Sequence, residues 1–408
     1  DAAPVKGKKV GSVGFDMSDA TLNVMPTAGD SLLMTLSDGG LQYLLASVRA
    51  NTGVKSGRYM FEVKMVETLN PAEGQNGKAK APPPRHLVRV GFSTKGSSVF
   101  LSDGPDNVCF DSEGFFIHEK KRTKVSQKFG RDQVLGVLLN LDSSSPNKNT
   151  VSVFRDGKRI SEPQPLPENL QGKTLFPTIT YRNVTLQVNY GPSPLAPLPF
   201  KCNMLSDAAE KDVEVTPPPP AGKCEVMLPV GLPDTGLFDW VDGFLAKNPT
   251  YTELSDRKIL EWAAKSGLWR QKGYSWKATN DDPEMGFGIP MMDDNSVSRL
   301  LTAIAPTLKR NFVVMQLKSN LVGSERAETL ARFGSENFNK VASVVMGEPD
   351  ADYKKLVQDL LLAEKKKKAD AERKKKSMEA ERKRLAEERQ KKAGCKEGQT
   401  CSSKERQR

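Results

Sequence analysis

"GRYMFEVKMVE", residues 57–67, decides the fold of the first half of this 408-residue chain. Apolar and polar residues interleave along it, which is the pattern of a half-buried β-strand. Similar runs follow, separated by turn residues: HLVRVGFST (86–94), QVLGVLLNLD (133–142), TVSVFRDGKRI (150–160) and NVTLQVNYG (183–191). Asp156–Gly157, between apolar flanks, is a strong hairpin signal. Since residues 10–200 contain no helical period of useful length, the pattern predicts an antiparallel β-sandwich.

The pattern changes after a stiff polyproline spacer, VTPPPPAGK, at residues 215–223. Strand-like runs then alternate with helix-like runs, which predicts a parallel α/β sheet. The predicted strands are 224–230, 311–317 and 340–348, and the predicted helices are 238–249, 256–269, 296–310 and 324–338. Polar and proline-rich composition predicts an exposed loop at 70–86, and residues 268–296 are expected to be irregular.

The loop after the first of these strands has the spacing of a phosphate-binding loop without its functional side chains. Gly231 and Gly236 lie five residues apart in VGLPDTGLFDW (230–240). Such a loop needs lysine to neutralise the phosphates and Ser or Thr to hold magnesium. This chain has Leu237 and Phe238 there, and Asp234 adds a carboxylate that repels a triphosphate. The residues alone leave two interpretations open, an ordinary strand–loop–helix turn and a degenerate nucleotide site.

Basic charge is concentrated near the C-terminal end. Residues 351–408 contain 20 Lys and Arg against 11 Asp and Glu, whereas the remainder of the chain is close to neutral. Repeated acidic–basic pairs four residues apart, with few large apolar residues after Ala363, predict a single solvated helix without a coiled-coil seam. Its basic clusters are candidate contacts for nucleic-acid phosphates. They comprise Lys365, Lys366, Lys367, Lys368, Arg373, Lys374, Lys375, Lys376, Arg382, Lys383 and Arg384.

Composition argues against several classes of site. The chain has five cysteines without a CxxC pair, and two histidines. We therefore expect no disulfide framework, no metal site and a reducing compartment. No run approaches the roughly 18 apolar residues of a membrane span, and residues 1–12 lack the apolar stretch of a signal peptide. We expect no membrane association, no cofactor and no small-molecule substrate.

Three stretches in the first half resemble a SPRY domain, and specifically the SPRY domain of the heterogeneous nuclear ribonucleoprotein U family. They are SVRANTGVKSGRYMFEVKM (47–65), VRVGFST (88–94) and LFPTITYRNVTLQVNYGP (175–192). In that family a strand and a P-loop follow, in a polynucleotide-kinase-like domain. GLPDTGLFDW occupies the same place here, and KRNFVVMQLKSN (309–320) and KVASVVMGEPDADYKK (340–355) resemble later strands of that domain.

The resemblance implies a nucleotide loop whose chemistry has been lost. The family's loop carries the lysine and hydroxyl that Leu237 and Phe238 replace, and its second-strand motif carries an acidic residue where this chain has Met315. The degenerate loop is then Gly231, Asp234, Gly236, Leu237 and Phe238, with Met315 beside it. The resemblance implies no phosphoryl transfer, and we expect Leu237, Phe238 and Trp240 to pack the following helix onto the sheet.

The SPRY-like half resembles protein-interaction modules, which bind through loops at one end of the sandwich. The candidate loops are residues 49–57, 94–107 and 117–128. The last is basic, and Lys120, Lys121 and Arg122 are candidate contacts for a protein partner. The family resemblance and the basic clusters suggest a nuclear location, with the cytoplasm as the alternative.

The sequence predicts a multidomain chain: an antiparallel β-sandwich, an α/β parallel-sheet domain resembling P-loop proteins, and a long charged helix. The predicted segments are a flexible N-terminus (1–11), the SPRY sandwich (12–200), a proline-rich linker (201–222), the degenerate P-loop domain (223–355), the charged helix (356–393) and a disordered tail (394–408). The favoured function is a non-catalytic nuclear ribonucleoprotein-like protein, with a protein partner on the SPRY loops and RNA on the basic tail. The alternatives are a protein-interaction scaffold without an RNA role, and a divergent polynucleotide-kinase-like enzyme.

Overall fold

The computed structural model describes residues 8–27, 29, 31–37, 40–70, 85–217, 222–230, 236–268, 303–315, 323–345 and 351–404. The expected loop at 70–86 and the expected irregular region at 268–296 lie almost entirely outside these residues, as do Gly231 and Asp234. The chain divides into two compact units, residues 1–345 and residues 346–408. Each unit is described by itself.

Short antiparallel strands make up the N-terminal part of the first unit. They are β1 (Phe15–Ala20), β2 (Val24–Pro26), β3 (Leu32–Thr35), β4 (Ala46–Ala50), β5 (Thr52–Val54), β6 (Arg58–Thr68), β7 (Leu87–Ser93), β8 (Asn107–Asp111), β9 (Phe115–His118), β10 (Lys121–Lys124), β11 (Val134–Asn140), β12 (Thr150–Arg155), β13 (Lys158–Arg159), β14 (Gln164–Pro165), β15 (Phe176–Arg182), β16 (Val184–Asn189), β17 (Asn203–Met204) and β18 (Val213–Val215).

Two sheets formed by these strands pack face to face. One has the order β1-β4-β15-β7-β8-β9-β10, and the other has the order β13-β12-β11-β6-β16-β3-β2, with β14 on β12 and β17 on β6. The pairing is antiparallel except for β17, which runs parallel to β6. Phe61 from β6 and Phe92 from β7 meet edge to face across the core at 5.5 Å between ring centroids. The predicted antiparallel, sheet-rich N-terminal region is confirmed.

A small parallel sheet follows the spacer. Its strands are β19 (Cys224–Val230), β20 (Tyr251–Ser255), β21 (Asn311–Met315) and β22 (Phe338–Val345), in the spatial order β20-β21-β19-β22. The helices between them are α1 (Leu237–Lys247), α2 (Asp256–Lys265) and α3 (Gly323–Ala331). The expected parallel sheet is therefore present. It includes one strand, β20, that the sequence pattern did not indicate.

The sandwich and the parallel sheet share a buried apolar cluster. Leu44, Leu45 and Phe100 from the sandwich belong to the same cluster as Trp262 of α2 and Phe312 of β21. The indole N–H of Trp262 donates to the carbonyl oxygen of Leu45 at 2.8 Å, and the Leu45 amide donates to Ser266 Oγ at 2.9 Å. These contacts hold the two parts together as one packed body.

The second unit is a long helix, α4 (Ala351–Lys404). It begins before the predicted residue 356 and continues through residues 394–404, which were expected to be disordered. The physical reason is composition, because residues 394–404 contain no proline, and Gly394 and Gly398 each cost a helix only about 1 kcal/mol. At 1.5 Å per residue the helix is roughly 80 Å long.

Candidate functional site

The candidate site lies at the carboxyl edge of the parallel sheet. After β19 ends at Val230 the chain continues to β20, towards one edge of the sheet. After β21 ends at Met315 it continues to β22, at the opposite edge. Adjacent strands whose connections diverge in this way form a topological switch point, where open α/β sheets bind ligands. Gly236, Leu237, Phe238 and Met315 all belong to the elements that border this point.

Gly236 precedes the first turn of α1 in a left-handed conformation, with a φ of 81°. Glycine adopts this conformation without the penalty that a side chain would incur, so the turn explains the glycine. The amide of Trp240 donates back to the Gly236 carbonyl at 3.0 Å. Asp239 is an acidic residue in the first turn, where its carboxylate offsets the positive end of the helix dipole. That same carboxylate opposes the binding of a phosphate at this helix end.

Leu237 and Met315 both face the core. Leu237 has no exposed surface, Met315 is 3% exposed, and Val241 continues the buried face of α1 one turn later. A lysine or a magnesium-binding carboxylate would have to reach a solvated ligand from these positions. The side chains present contribute to packing and offer no charge to a phosphate or metal ion. The expected packing role of Leu237 agrees with this placement.

The ring of Phe238 contacts a guanidinium group whose charge is balanced by two carboxylates. The guanidinium of Arg257 sits 4.9 Å from the centre of the Phe238 ring. Arg257 Nε donates to Glu253 Oε1 at 2.6 Å, and its Nη2 donates to Glu253 Oε2 at 2.8 Å and to Asp242 Oδ1 at 2.6 Å. The hydrogen bonds to Glu253, and then those to Asp242, raise the pKa of Arg257. Two carboxylates thus hold the basic group that contacts Phe238.

The basic segment of the sandwich is a hairpin, where the sequence predicted a loop over residues 117–128. Lys121 pairs with His118 and Arg122 with Ile117 in the β9–β10 ladder, and all four residues of β10 are exposed. Arg122 donates to Asp111 at 2.7 Å and lies 4.4 Å from the centre of the Phe115 ring. Lys120, at the turn, is exposed with a φ of 66°. The hairpin therefore presents exposed basic side chains at one edge of the sheet.

The predicted recognition loop at 49–57 is largely strand. Arg49 in β4 is 1% exposed, and Thr52 in β5 is fully buried. Arg49 Nε donates to Ser93 Oγ at 2.9 Å, and its Nη2 donates to the carbonyl oxygens of Ser97 and Ser98 at 3.1 and 3.2 Å. The expected surface loop is wrong here because Arg49 is a buried anchor. It fixes the start of the 94–107 segment to the sheet.

Exposed side chains line α4 over the residues where burial is described. The candidate contacts from Lys365 to Arg384 are all exposed. Lys368 Nζ forms an ion pair with Glu364 Oε1 at 2.6 Å, and Lys376 Nζ forms one with Glu372 Oε1 at 2.8 Å. The partners are four residues apart in each pair. The hydrogen bond from Lys368 lowers the pKa of the Glu364 carboxyl. The basic clusters are therefore solvent-accessible, and two of their lysines form ion pairs with acidic neighbours.

The described parts of the chain contain no group of three or more His, Cys, Asp or Glu residues placed to hold a metal ion. No described helix combines the length and the apolar character needed to cross a bilayer.

Curated relatives add a family similarity. The chain is 26% identical over 317 residues to heterogeneous nuclear ribonucleoprotein U-like protein 2 of Mus musculus, a match that covers 75% of this chain and 39% of the relative. The Homo sapiens protein is 25% identical over 314 residues, with the same coverage. The chain is similar to heterogeneous nuclear ribonucleoprotein U-like proteins. It spans about two fifths of their length, since the match covers 39% of each.

A shorter match involves ATP-dependent RNA helicase Ddx1 of Drosophila melanogaster, which is 27% identical over 144 residues, 35% of this chain and 17% of that protein. Among solved structures, the SPRY domain of human HERC1 aligns with a TM-score of 0.32 and 18% identity, over 44% of this chain and 100% of that one. A second human SPRY domain aligns with a TM-score of 0.30 and 15% identity, over 42% of this chain and 98% of that one. No family model matches the sequence. The predicted resemblance is confirmed as this similarity, and its P-loop part stays a prediction.

Sequence reasoning missed three arginines that organise the first unit. Arg49 and Arg310 are buried and Arg257 is half-buried, and each bonds groups contributed by other segments. Arg310 donates to the carbonyl of Ala20, 290 residues earlier in the chain. Arg49 lies between Val48 and Ala50, but Arg257 and Arg310 have charged or polar neighbours, so the local sequence does not reveal their distant partners.

Proposed function

We propose that this chain is a non-catalytic, nuclear ribonucleoprotein-like protein that binds a partner protein through its SPRY-like sandwich and RNA through α4. The observation that carries the non-catalytic part is the complete burial of Leu237 at the switch point of the parallel sheet. A phosphate site there would need a cation at the ligand, and the Arg257 guanidinium is engaged by Glu253 and Asp242. Similarity to ribonucleoprotein U-like proteins supports the wider class.

The non-catalytic part has a direct test. We expect no transfer of phosphate from ATP to a 5′-hydroxyl RNA in the presence of magnesium, and no binding of a fluorescent ATP analogue at micromolar concentration. Phosphoryl transfer that the full chain carries out, and that Leu237→Ala changes, would support the divergent-kinase alternative in place of this proposal.

The protein-binding part is supported by the basic edge at the end of the seven-stranded sheet. Lys120, Lys121 and Lys124 are exposed on or beside β10, an edge strand whose backbone has a pairing partner on one side only in the described sheet. An exposed strand edge favours a partner that contributes an extended segment, and the lysines favour one with acidic side chains.

The test compares a hairpin variant with a matched surface variant. Lys120→Glu/Lys121→Glu reverses the charge of the hairpin, whereas Lys148→Glu reverses an exposed lysine in the 141–149 turn. Quantitative affinity purification from nuclear extract is expected to lose a set of proteins with the double variant and to retain it with Lys148→Glu. Identical sets from all three proteins would remove the hairpin from the binding surface.

RNA binding by α4 is supported by eleven exposed basic residues in three clusters between Lys365 and Arg384. Each phosphate that they neutralise releases counterions, and contributes roughly −0.7 to the slope of log K against log salt for single strands. Two acidic–basic pairs within the clusters favour the alternative, in which α4 is a charged spacer of a protein-interaction scaffold.

A salt series separates the two interpretations of α4. We measure binding of a labelled single-stranded RNA from low to physiological salt, using the full chain and a variant that ends at Ala363. The proposal expects salt-sensitive binding that disappears with the truncation. Equal affinity and equal slope for the two proteins would support the scaffold alternative.

A further inference from the structure

A cavity of about 660 Å³ opens within the first unit, between the sandwich and the parallel-sheet part. Its wall is built from β1, from the segment after β18 and from the residues that precede β21. Phe15, Met17 and Leu308 are apolar residues of its lining, and Ser12 and Thr216 are polar ones. It lies at the end of β21 opposite to Met315, so it is separate from the candidate nucleotide loop.

Arg310 lines this cavity and is 6% exposed. Its Nη1 donates to the Ala20 carbonyl at 2.7 Å, but its Nε and Nη2 have no hydrogen-bond partner among the described residues. A buried donor without an acceptor is costly, and more so when the group is charged. Desolvation lowers the pKa of Arg310 to about 10, so the guanidinium still carries its charge at neutral pH.

The carboxylates near Arg310 are engaged with other groups. Asp16 Oδ1, on the cavity wall, accepts hydrogen bonds from the amide of Ser18 at 3.0 Å and from the Ser18 hydroxyl. Asp19 is paired with the buried Arg49. Both contribute a favourable charge at a distance, and neither supplies an acceptor to Nε or Nη2. Arg310 is thus a lining residue of the cavity with two donors that lack acceptors, and because both nitrogens have less than 1 Å² of accessible surface, a ligand reaches them when the Arg310 side chain turns towards the cavity.

We propose that this cavity binds an extended, largely apolar peptide of a partner protein, whose single Asp or Glu side chain accepts hydrogen bonds from Nε and Nη2 of Arg310. A carboxylate matches the fork of a guanidinium, because two parallel N–H donors meet its two oxygens. The volume falls in the range of roughly 300–1,000 Å³ typical of ligand pockets. Met17 and Leu308, which are both partly exposed, offer apolar surface to the neighbouring peptide side chains.

The same wall argues against a nucleic acid as the occupant. Binding of a nucleic acid relies on several cations along a backbone and on aromatic faces for bases. Here Lys309 and Arg310 are the cations among the lining residues, and Asp16 opposes repeated phosphates. Phe15, the aromatic residue in the lining, is 8% exposed and packs edge to face against Tyr190. This site involves both parts of the first unit and is independent of the β9–β10 hairpin.

The proposal is tested by panning a random heptapeptide library, displayed on phage, against the full chain. A synthetic peptide from the enriched set is then compared with its Glu→Gln or Asp→Asn counterpart by fluorescence anisotropy. We expect enriched peptides with one acidic residue among apolar ones, and a loss of at least roughly tenfold in affinity when the acid becomes an amide. Absence of enrichment, or equal affinity of the two peptides, overturns the proposal.

Three protein variants locate the binding. Ser12→Trp places a bulky indole at an exposed lining residue, where it occupies part of the cavity, and is expected to weaken binding of the acidic peptide at least about tenfold. Ser144→Trp places the same side chain on an exposed turn away from the cavity and is expected to change nothing. Asp16→Asn removes a repulsive charge and is expected to tighten binding several-fold. Unchanged binding by Ser12→Trp, or weaker binding by Asp16→Asn, overturns the proposal, and the second result would indicate a cationic ligand.

Discussion

At the position where a phosphate-binding loop carries its lysine, the side chain of Leu237 lies wholly inside the packing between α1 and the sheet. Replacing the leucine by lysine is therefore expected to destabilise the protein without restoring nucleotide binding. Loss of a buried leucine costs about 2–5 kcal/mol, and burial of an ammonium group adds to that cost. Urea unfolding of Leu237→Lys, together with titration of a fluorescent ATP analogue, measures both effects.

Leu237→Met is the matched control, because a volume-conserving apolar change costs less than about 1.5 kcal/mol. A Leu237→Lys protein that is as stable as the wild type and binds magnesium ATP would place the residue at a working phosphate site.

Cys109 in β8 is fully buried, and burial raises the pKa of its thiol to about 12. The folded state therefore keeps the thiol protonated at pH values where the unfolded chain, in which the thiol has its ordinary pKa of 9.0, has lost the proton. Since the folded state then binds more protons, this group's contribution to stability falls as the pH rises from 9 towards 12. We expect iodoacetamide at pH 8 to alkylate Cys202, which is partly exposed, well before Cys109. Site-resolved mass spectrometry measures the order, and equal rates would contradict the buried thiol.

At the scale of elements, the apolar pattern of the sequence predicted most of the core strands of the sandwich. The runs interpreted as strands are β6, β7, β11, β12 and β16, and each contributes residues to the core, although β11 is buried along its whole length. The strand β20, with the sequence YTELS, was missed since its buried Glu253 and Ser255 look solvated in isolation. The pairing of Glu253 with Arg257, the second residue of α2, together with a hydrogen bond from Ser255, explains why a carboxylate lies there.

The Arg257 network supports a second prediction at this scale. Glu253 is 1% exposed at its side chain, so Arg257→Ala leaves a buried carboxylate without its cation. Breaking such a pair from one side costs about 3–5 kcal/mol, and the partial exposure of Arg257 brings our expectation to the lower end. Lys258→Ala is the control, because the exposed Lys258–Glu261 pair is worth less than about 1 kcal/mol. Chemical denaturation measures both, and equal losses would show that Glu253 is not held by Arg257.

At the scale of the whole molecule, the polyproline spacer predicted two separable domains, and the first unit is one packed body. The spacer is followed by an α/β part whose Trp262 bonds Leu45, and whose Arg310 bonds Ala20. Neither partner is identifiable from sequence spacing, because 217 and 290 residues separate the groups that meet. For the same reason the cavity beside Arg310 could not have been predicted, although each residue of its wall was visible.

Shared packing predicts that the sandwich and the parallel sheet unfold together. Trp262 is 8% exposed at their common cluster, and Trp262→Ala is expected to cost about 3–5 kcal/mol and to split one thermal transition into two. Trp240→Ala is the control, because the half-buried Trp240 stacks on Phe244 within α1 and touches neither the cluster nor the sandwich contacts. Calorimetry of both variants, with near-ultraviolet circular dichroism as a second probe, distinguishes the cases. Two transitions in the wild type would mean that the buried contacts between the two parts do not couple their folding.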